Sequence, residues 1–151
     1  MRVIPISQSE CEELLKRESL GRIGCAFEIQ PYVVPICFSY EPPNHIYIFS
    51  TFGKKIEWMR QNPKVCLEVD EVANRSNWSS VVVEGNYLEL EEPQYSTQKQ
   101  HAMGKLEEYS LWWKTPLAQR RETIEDLSIK PVFFCIDIVS MTGLRAIADP
   151  L

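Results

Sequence analysis

Hydrophobic and polar positions alternate with a period of two in several stretches of this chain, and helical spacing interrupts them. The clearest alternation is at residues 64–70. Val65, Leu67 and Val69 interleave with Lys64, Cys66, Glu68 and Asp70, as in a strand with one buried and one wetter face. Residues 22–28, 32–40, 45–50, 78–90 and 132–138 are likewise rich in β-branched and aromatic side chains. Short breaks such as Glu41-Pro42-Pro43-Asn44 have hairpin spacing, so the pairing is expected to be antiparallel. Residues 73–77 read as a polar loop. Gly85 inside a strand marks a bulge or a barrel bend, and Met141-Thr142-Gly143 reads as a turn into a short tail.

Three segments have helical character. Ser7 with Glu10 three residues later is a capping box, opening a helix to about Ser19 with Cys11, Leu14 and Leu15 on one face and Gly21 as its stop. A short helix follows Gly53 and ends at Asn62-Pro63. Residues of about 93–128 are polar and helical, broken at Thr115-Pro116. No repeat, low-complexity run or linker divides the chain, so residues 1–151 are expected to form one domain carrying a helical insertion. About six strands joined mostly by hairpins favour a closed barrel, because closure removes the sheet's edges.

Composition narrows the function classes. A chain of 151 residues with 44% hydrophobic and 25% charged residues is ordinary for a globular protein and buries a core without metal or disulfide. The net charge of −5 argues against a nucleic-acid footprint but leaves room for one small phosphate. The five cysteines are odd in number and show no C-x-x-C pair. With only His45 and His101 beside them no metal-ligand spacing emerges, so no metal is expected and the thiols should be reduced. No apolar leader or membrane-length run is present, which makes cytoplasmic placement and no membrane partner the expectation.

The chemistry concentrates where residues 45–50 run into the short helix. Ser50 and Thr51 supply hydroxyls, Gly53 turns the chain, and Lys54 and Lys55 bring charge to a helix start whose N–H groups are unpaired, a combination suited to phosphate. Pro35 inside a strand removes a ladder donor and requires an edge or a bulge there. Trp78 suits either core packing or the wall of an aromatic ligand site, and Trp112-Trp113 beside Lys114 suits packing or a subunit contact. No residue stands out as a general acid or base, and neither histidine has the sequence companions of a nucleophilic triad, so the catalytic residues stay unassigned.

Three landmarks occur in order: Tyr32-Val33-Val34-Pro35-Ile36-Cys37-Phe38-Ser39-Tyr40, the segment from Ser50 to Pro63, and Trp78-x-Ser80-Val81-x-Val83-x-Gly85. With Leu111-Trp112-Trp113-Lys114 and Met141-Thr142-Gly143, the set resembles the pyridoxamine-phosphate-oxidase-like FMN-binding split barrels, and within them the nitroimidazole-resistance-type flavoproteins. The resemblance implies a mainly β fold with helices: a six-stranded antiparallel split β-barrel, assembled as a homodimer with FMN at the interface. Carried over, Val34, Pro35, Ile36 and Cys37 would border the flavin ring, and Ser50, Thr51, Lys54 and Lys55 would hold the phosphate. Trp78, Ser80 and Val81 would line the site, in some relatives from the second subunit. Nitroimidazole-linked members often carry a histidine where this chain has Phe49 or its neighbour. True pyridoxamine-phosphate oxidases carry an arginine–lysine pair before the helix and an arginine-rich C-terminal segment, against Lys54-Lys55 and Ala148-Asp149-Pro150-Leu151 here. The expected activity is therefore an oxidoreductase passing electrons from a reduced nicotinamide, NADH or NADPH, to a small-molecule acceptor. The alternative is a non-catalytic flavin-binding module for storage or sensing.

Overall fold

The structure, a computed structural model, describes residues 1–107 and 131–150. Its strands are β1 (Arg2–Pro5), β2 (Leu20–Phe27), β3 (Gln30–Glu41), β4 (His45–Thr51), β5 (Lys64–Asn74), β6 (Asn77–Glu89) and β7 (Pro131–Ile147). Its helices are α1 (Gln8–Arg17), α2 (Lys54–Gln61) and α3 (Ser96–Glu107). The sheet runs β1-β7-β4-β3-β2-β5-β6, and β6 pairs again with β7, so six strands close into an antiparallel ring with β1 added outside it. Strand count and hairpin spacing led to a closed antiparallel barrel, and its split form is the one that the resemblance implied. The Leu111-to-Lys114 segment and the Thr115-Pro116 break lie outside the described residues.

Alternation along the strands builds two cores. Inward-facing Ile23, Phe38, Ile46, Ile48, Leu67, Val69, Val81, Val83, Phe134 and Ile136 fill the barrel and are fully buried. The opposite faces of β4 and β7 present Tyr47, Phe49, Phe133 and Cys135, which pack with Leu90 and with Ala102 and Leu106 of α3. Helix α1 begins at the expected capping box, with Glu10 N–H donating to Ser7 Oγ at 3.2 Å and Ser7 N–H donating to Glu10 Oε2 at 2.8 Å.

Several boundaries differ from the sequence reading. Helix α1 stops at Arg17, and Gly21 lies in β2, where an added Cβ would sit 2.8 Å from the Glu68 carbonyl oxygen. The loop expected at 73–77 is shorter, because Asn74 and Asn77 pair across a tight turn. Met141-Thr142-Gly143 is no turn: β7 runs 17 residues, pairing with β4 from Pro131 to Asp137 on one edge and with β6 from Phe134 to Ala146 on the other, through a register shift at Glu84/Gly85. The bulge expected at Gly85 falls at that shift.

Candidate active-site cleft

The barrel splits between β3 and β4. These strands pair only from Phe38↔Ile48 to Glu41↔His45. Beyond that, β3 continues on β2 alone back to Gln30, and β4 continues on β7 alone out to Thr51. Pro35 sits on the parted side, where it faces Arg22 of β2 and has no β4 partner for an N–H it lacks. The interruption read from the sequence therefore coincides with the opening of the barrel. Between the parted strands lies a cleft of about 460 Å³ lined by Leu20, Pro35, Ile36, Cys37, Phe49, Ser50, Thr51 and Lys55, large enough for a small-molecule ring system.

One end of the cleft is built to receive negative charge. Helix α2 begins there with Gly53 as N-cap, which offers no side-chain hydrogen bond. Its carbonyl accepts the Glu57 N–H at 3.1 Å, so the N–H groups of the preceding turn have no intrahelical acceptor. Gly53 has φ 177°, extended backbone open to any residue, and nothing lies within 4 Å of where a Cβ would stand. Lys55 is half-buried, and burial holds its amine below the ordinary lysine pKa, with the nearby Cys25 acting the other way. No carboxylate pairs with Lys55 among the described residues. The Ser50 hydroxyl, nearly buried, donates to the Thr51 carbonyl at 3.1 Å, and rotation about its Cβ–Oγ bond would turn that proton to an anion at the cleft end. Apolar walls, with a lysine and the open N–H donors of a helix start at one end, suit a planar ring carrying a phosphate.

The expected site residues divide into two groups. Pro35, Ile36, Cys37, Ser50, Thr51 and Lys55 meet at the cleft. Val34 instead packs against the barrel core, and the Lys54 ammonium lies over the rings of Tyr32 and Trp58, 4.9 and 4.6 Å from their centroids. Trp78 lines a separate hollow with Glu18, Asp70 and Glu71; Ser80 pairs in register with Asp70 and Leu144, and Val81 is fully buried inside the barrel. Leu20 and Phe49 line the cleft without having been singled out as ligand contacts. Strand alternation places Phe49 on the outer face, whereas Leu20 precedes the expected strand start and carried no signal.

Residues 7–145 match the family of pyridoxamine 5'-phosphate oxidases. The chain belongs to this family. An uncharacterised protein of Rhizobium meliloti (strain 1021) is 39% identical over 153 residues, covering 100% of both chains. A FAD-binding protein of Mesorhizobium loti, solved by crystallography, is 38% identical with a TM-score of 0.78, covering 98% of this chain and 99% of its own. A candidate 5-nitroimidazole antibiotic resistance protein of Bacteroides thetaiotaomicron shares the fold, with a TM-score of 0.68 at 22% identity over 95% of this chain and 87% of its own. Membership in the pyridoxamine 5'-phosphate oxidase family agrees with the ring of six strands and its split between β3 and β4.

Proposed function

We propose that this protein is a flavin-nucleotide-binding oxidoreductase that holds FMN in the cleft between β3 and β4. The observation that carries this reading is the half-buried Lys55, paired with no carboxylate among the described residues, beside the open start of α2 at the end of an otherwise apolar cleft. Lys55, the Ser50 and Thr51 hydroxyls and the first N–H groups of α2 would hold the phosphate, each charge-assisted bond contributing roughly 1.5–3 kcal/mol. The backbone of Pro35, Ile36 and Cys37 would lie along the ring, its hydrogen bonds to β4 having been given up. Bound flavin supplies acceptance of electrons from a reduced nicotinamide and their transfer to a small acceptor. The chain's part is to bind, orient and keep water from one face. Phe49 offers no proton where the nitroimidazole-linked subgroup carries a histidine, so nitroimidazole reduction is not the activity proposed.

FAD is the second reading, favoured by the 38% identical Mesorhizobium loti protein, which is FAD-binding. A homodimer is part of the proposal. In one chain Trp78 lies away from the cleft, and exposed Leu20, Val33 and Phe52 lie on β2, on β3 and before α2, the elements that frame the opening. A second copy would cover that apolar surface and bring its own Trp78 to the flavin.

The absorbance spectrum of the purified protein is the test. A flavin band at about one equivalent per chain is expected, with the released flavin identified as FMN or FAD by chromatography. Anaerobic NADH or NADPH should bleach it. Flavin that is held but never reduced would make the protein a storage or sensing module, and failure to take up any flavin would overturn the proposal.

A further inference from the structure

The outer face of β4 and β7 carries a second group of donor atoms, at the opposite end of β4 from Thr51. His45 opens β4 and pairs in register with Asp137 of β7, and Cys135 lies on the same face of β7 two residues earlier. His45 Nε2 is 3.3 Å from Asp137 Oδ1, Cys135 Sγ is 3.8 Å from that same oxygen, and the three donor atoms all lie within 4.8 Å of one another. We propose that His45, Cys135 and Asp137 form a binding site for one divalent transition-metal ion of the Zn²⁺ class, with a fourth position open to solvent.

Three features carry this. The first is spacing. Tetrahedral zinc with N and O ligands at about 2.0 Å and sulfur at about 2.3 Å places its donors roughly 3.3–3.5 Å apart. The nitrogen and oxygen already stand at that separation; the sulfur, 3.8 Å from the oxygen and within 4.8 Å of the nitrogen, closes onto the ion by rotation of the Cys135 and His45 side chains. The second is donor chemistry. A thiol, an imidazole and a carboxylate form a mixed set that suits zinc, cobalt or nickel and ill suits magnesium or calcium, which take oxygen ligands. The third is support. Cys135 is fully buried at the floor, while His45 and Asp137, with side chains 39% and 50% exposed, leave an entrance. The Tyr47 ring stacks on His45 with centroids 6.0 Å apart, and Glu41, register partner of His45 on β3, is paired with His101 of α3. The imidazole thus has an aromatic neighbour on one face, and the Glu41 carboxylate on the adjoining strand is engaged by His101 and leaves the three donors to themselves.

On binding, Cys135 gives its proton to water and ligates as thiolate; nothing is oxidised or reduced. The site is independent of the flavin reading, since along a strand rising about 3.3 Å per residue His45 and Thr51 are roughly 20 Å apart. Failure of one would leave the other standing.

Cobalt is the probe. Metal-stripped full-length protein titrated with Co²⁺ is expected to saturate at one equivalent, with a thiolate-to-cobalt charge-transfer band and tetrahedral d–d bands that added Zn²⁺ removes. Cys135→Ser should lose the charge-transfer band while Cys66→Ser retains it. His45→Ala, a change at a half-exposed position, should weaken Co²⁺ at least about tenfold with an unchanged metal-free melting temperature. Asp137→Asn should do the same and carries the test if Cys135→Ser does not fold. Absence of the thiolate band in the wild type would overturn the site, leaving an ordinary His–Asp pair beside a buried thiol. Its persistence in Cys135→Ser, or unaltered cobalt affinity in both His45→Ala and Asp137→Asn, would do so equally.

Discussion

Two glycines show how differently one residue type serves this chain. At Gly85 an added Cβ would stand 2.4 Å from the Asp137 carbonyl oxygen and 2.7 Å from Ile136 Cγ2, where β6 shifts register against β7. Backbone cannot yield as a side chain does, so Gly85→Ala should cost about 1–3 kcal/mol, read as a lower urea midpoint at unchanged slope. At Gly53 there is open space and extended backbone, so nothing in the fold requires glycine. Its use is to leave the α2 N–H groups uncapped. Gly53→Asp should cap them, stabilising the flavin-free protein by a few tenths to about 1 kcal/mol while repelling the FMN phosphate. Improved stability with undiminished FMN affinity would show that the helix start holds no phosphate. The same contrast explains why Lys54 and Lys55 look alike in sequence and differ in structure. Adjacent helical residues point about 100° apart, which sends one amine onto Tyr32 and Trp58 and the other into the cleft.

Elements were legible where local chemistry and periodicity agreed. The Ser7–Glu10 box, the alternation in β5 and the turn before β4 all left marks in the sequence, and α1, β5 and β4 begin where those marks stand. Strand β1 left none: its residues are exposed throughout, and it is a strand only because the tail of β7 pairs with it. For the same reason Met141-Thr142-Gly143 resembled a turn. Gly143 is needed because Ile6 and Cys11 press against it, contacts made by residues remote in sequence. The capping box also sets a pH dependence. The Ser7 N–H first, and Arg145 Nη1 at 2.8 Å next, hold the Glu10 carboxyl below the ordinary carboxylate range. A folded pKa depressed in this way stabilises above the unfolded value of about 4.3 and loses that contribution as pH falls through the folded value. The melting temperature of Glu10→Gln should therefore trail the wild type at neutral pH and converge with it as pH falls below the ordinary carboxylate range. A gap that stayed constant with pH would assign the loss to something other than the charge.

At the scale of the whole molecule, closure into a barrel was foreseeable from strand count and hairpin spacing, and so was an interruption at Pro35. The place where the ring parts was not, since it depends on β3 and β4 each keeping its other neighbour. The site was legible in the same proportion. Ser50, Thr51 and Lys55 announced themselves through a strand–turn–helix junction, whereas Trp78 and Val81 were named through the family resemblance and within one chain lie away from the cleft. If a second copy supplies Trp78, flavin retention and dimerisation are one property. Light scattering should then give a dimer for the flavin-loaded protein, and dilution into monomer should release the flavin. A monomer retaining full flavin would remove the partner from the site.

In the proposed function, the cleft end at Lys55 anchors the phosphate of a flavin nucleotide. Titrating the flavin-free protein with FMN and with riboflavin tests it most directly. Lys55→Ala should weaken FMN by on the order of ten- to a hundred-fold, the loss of one charge-assisted contact. Lys54→Ala should stay within a few-fold of wild type, and riboflavin, lacking the phosphate, should bind all three proteins alike. FMN affinity unchanged in Lys55→Ala, or riboflavin weakened as much as FMN, would contradict the account.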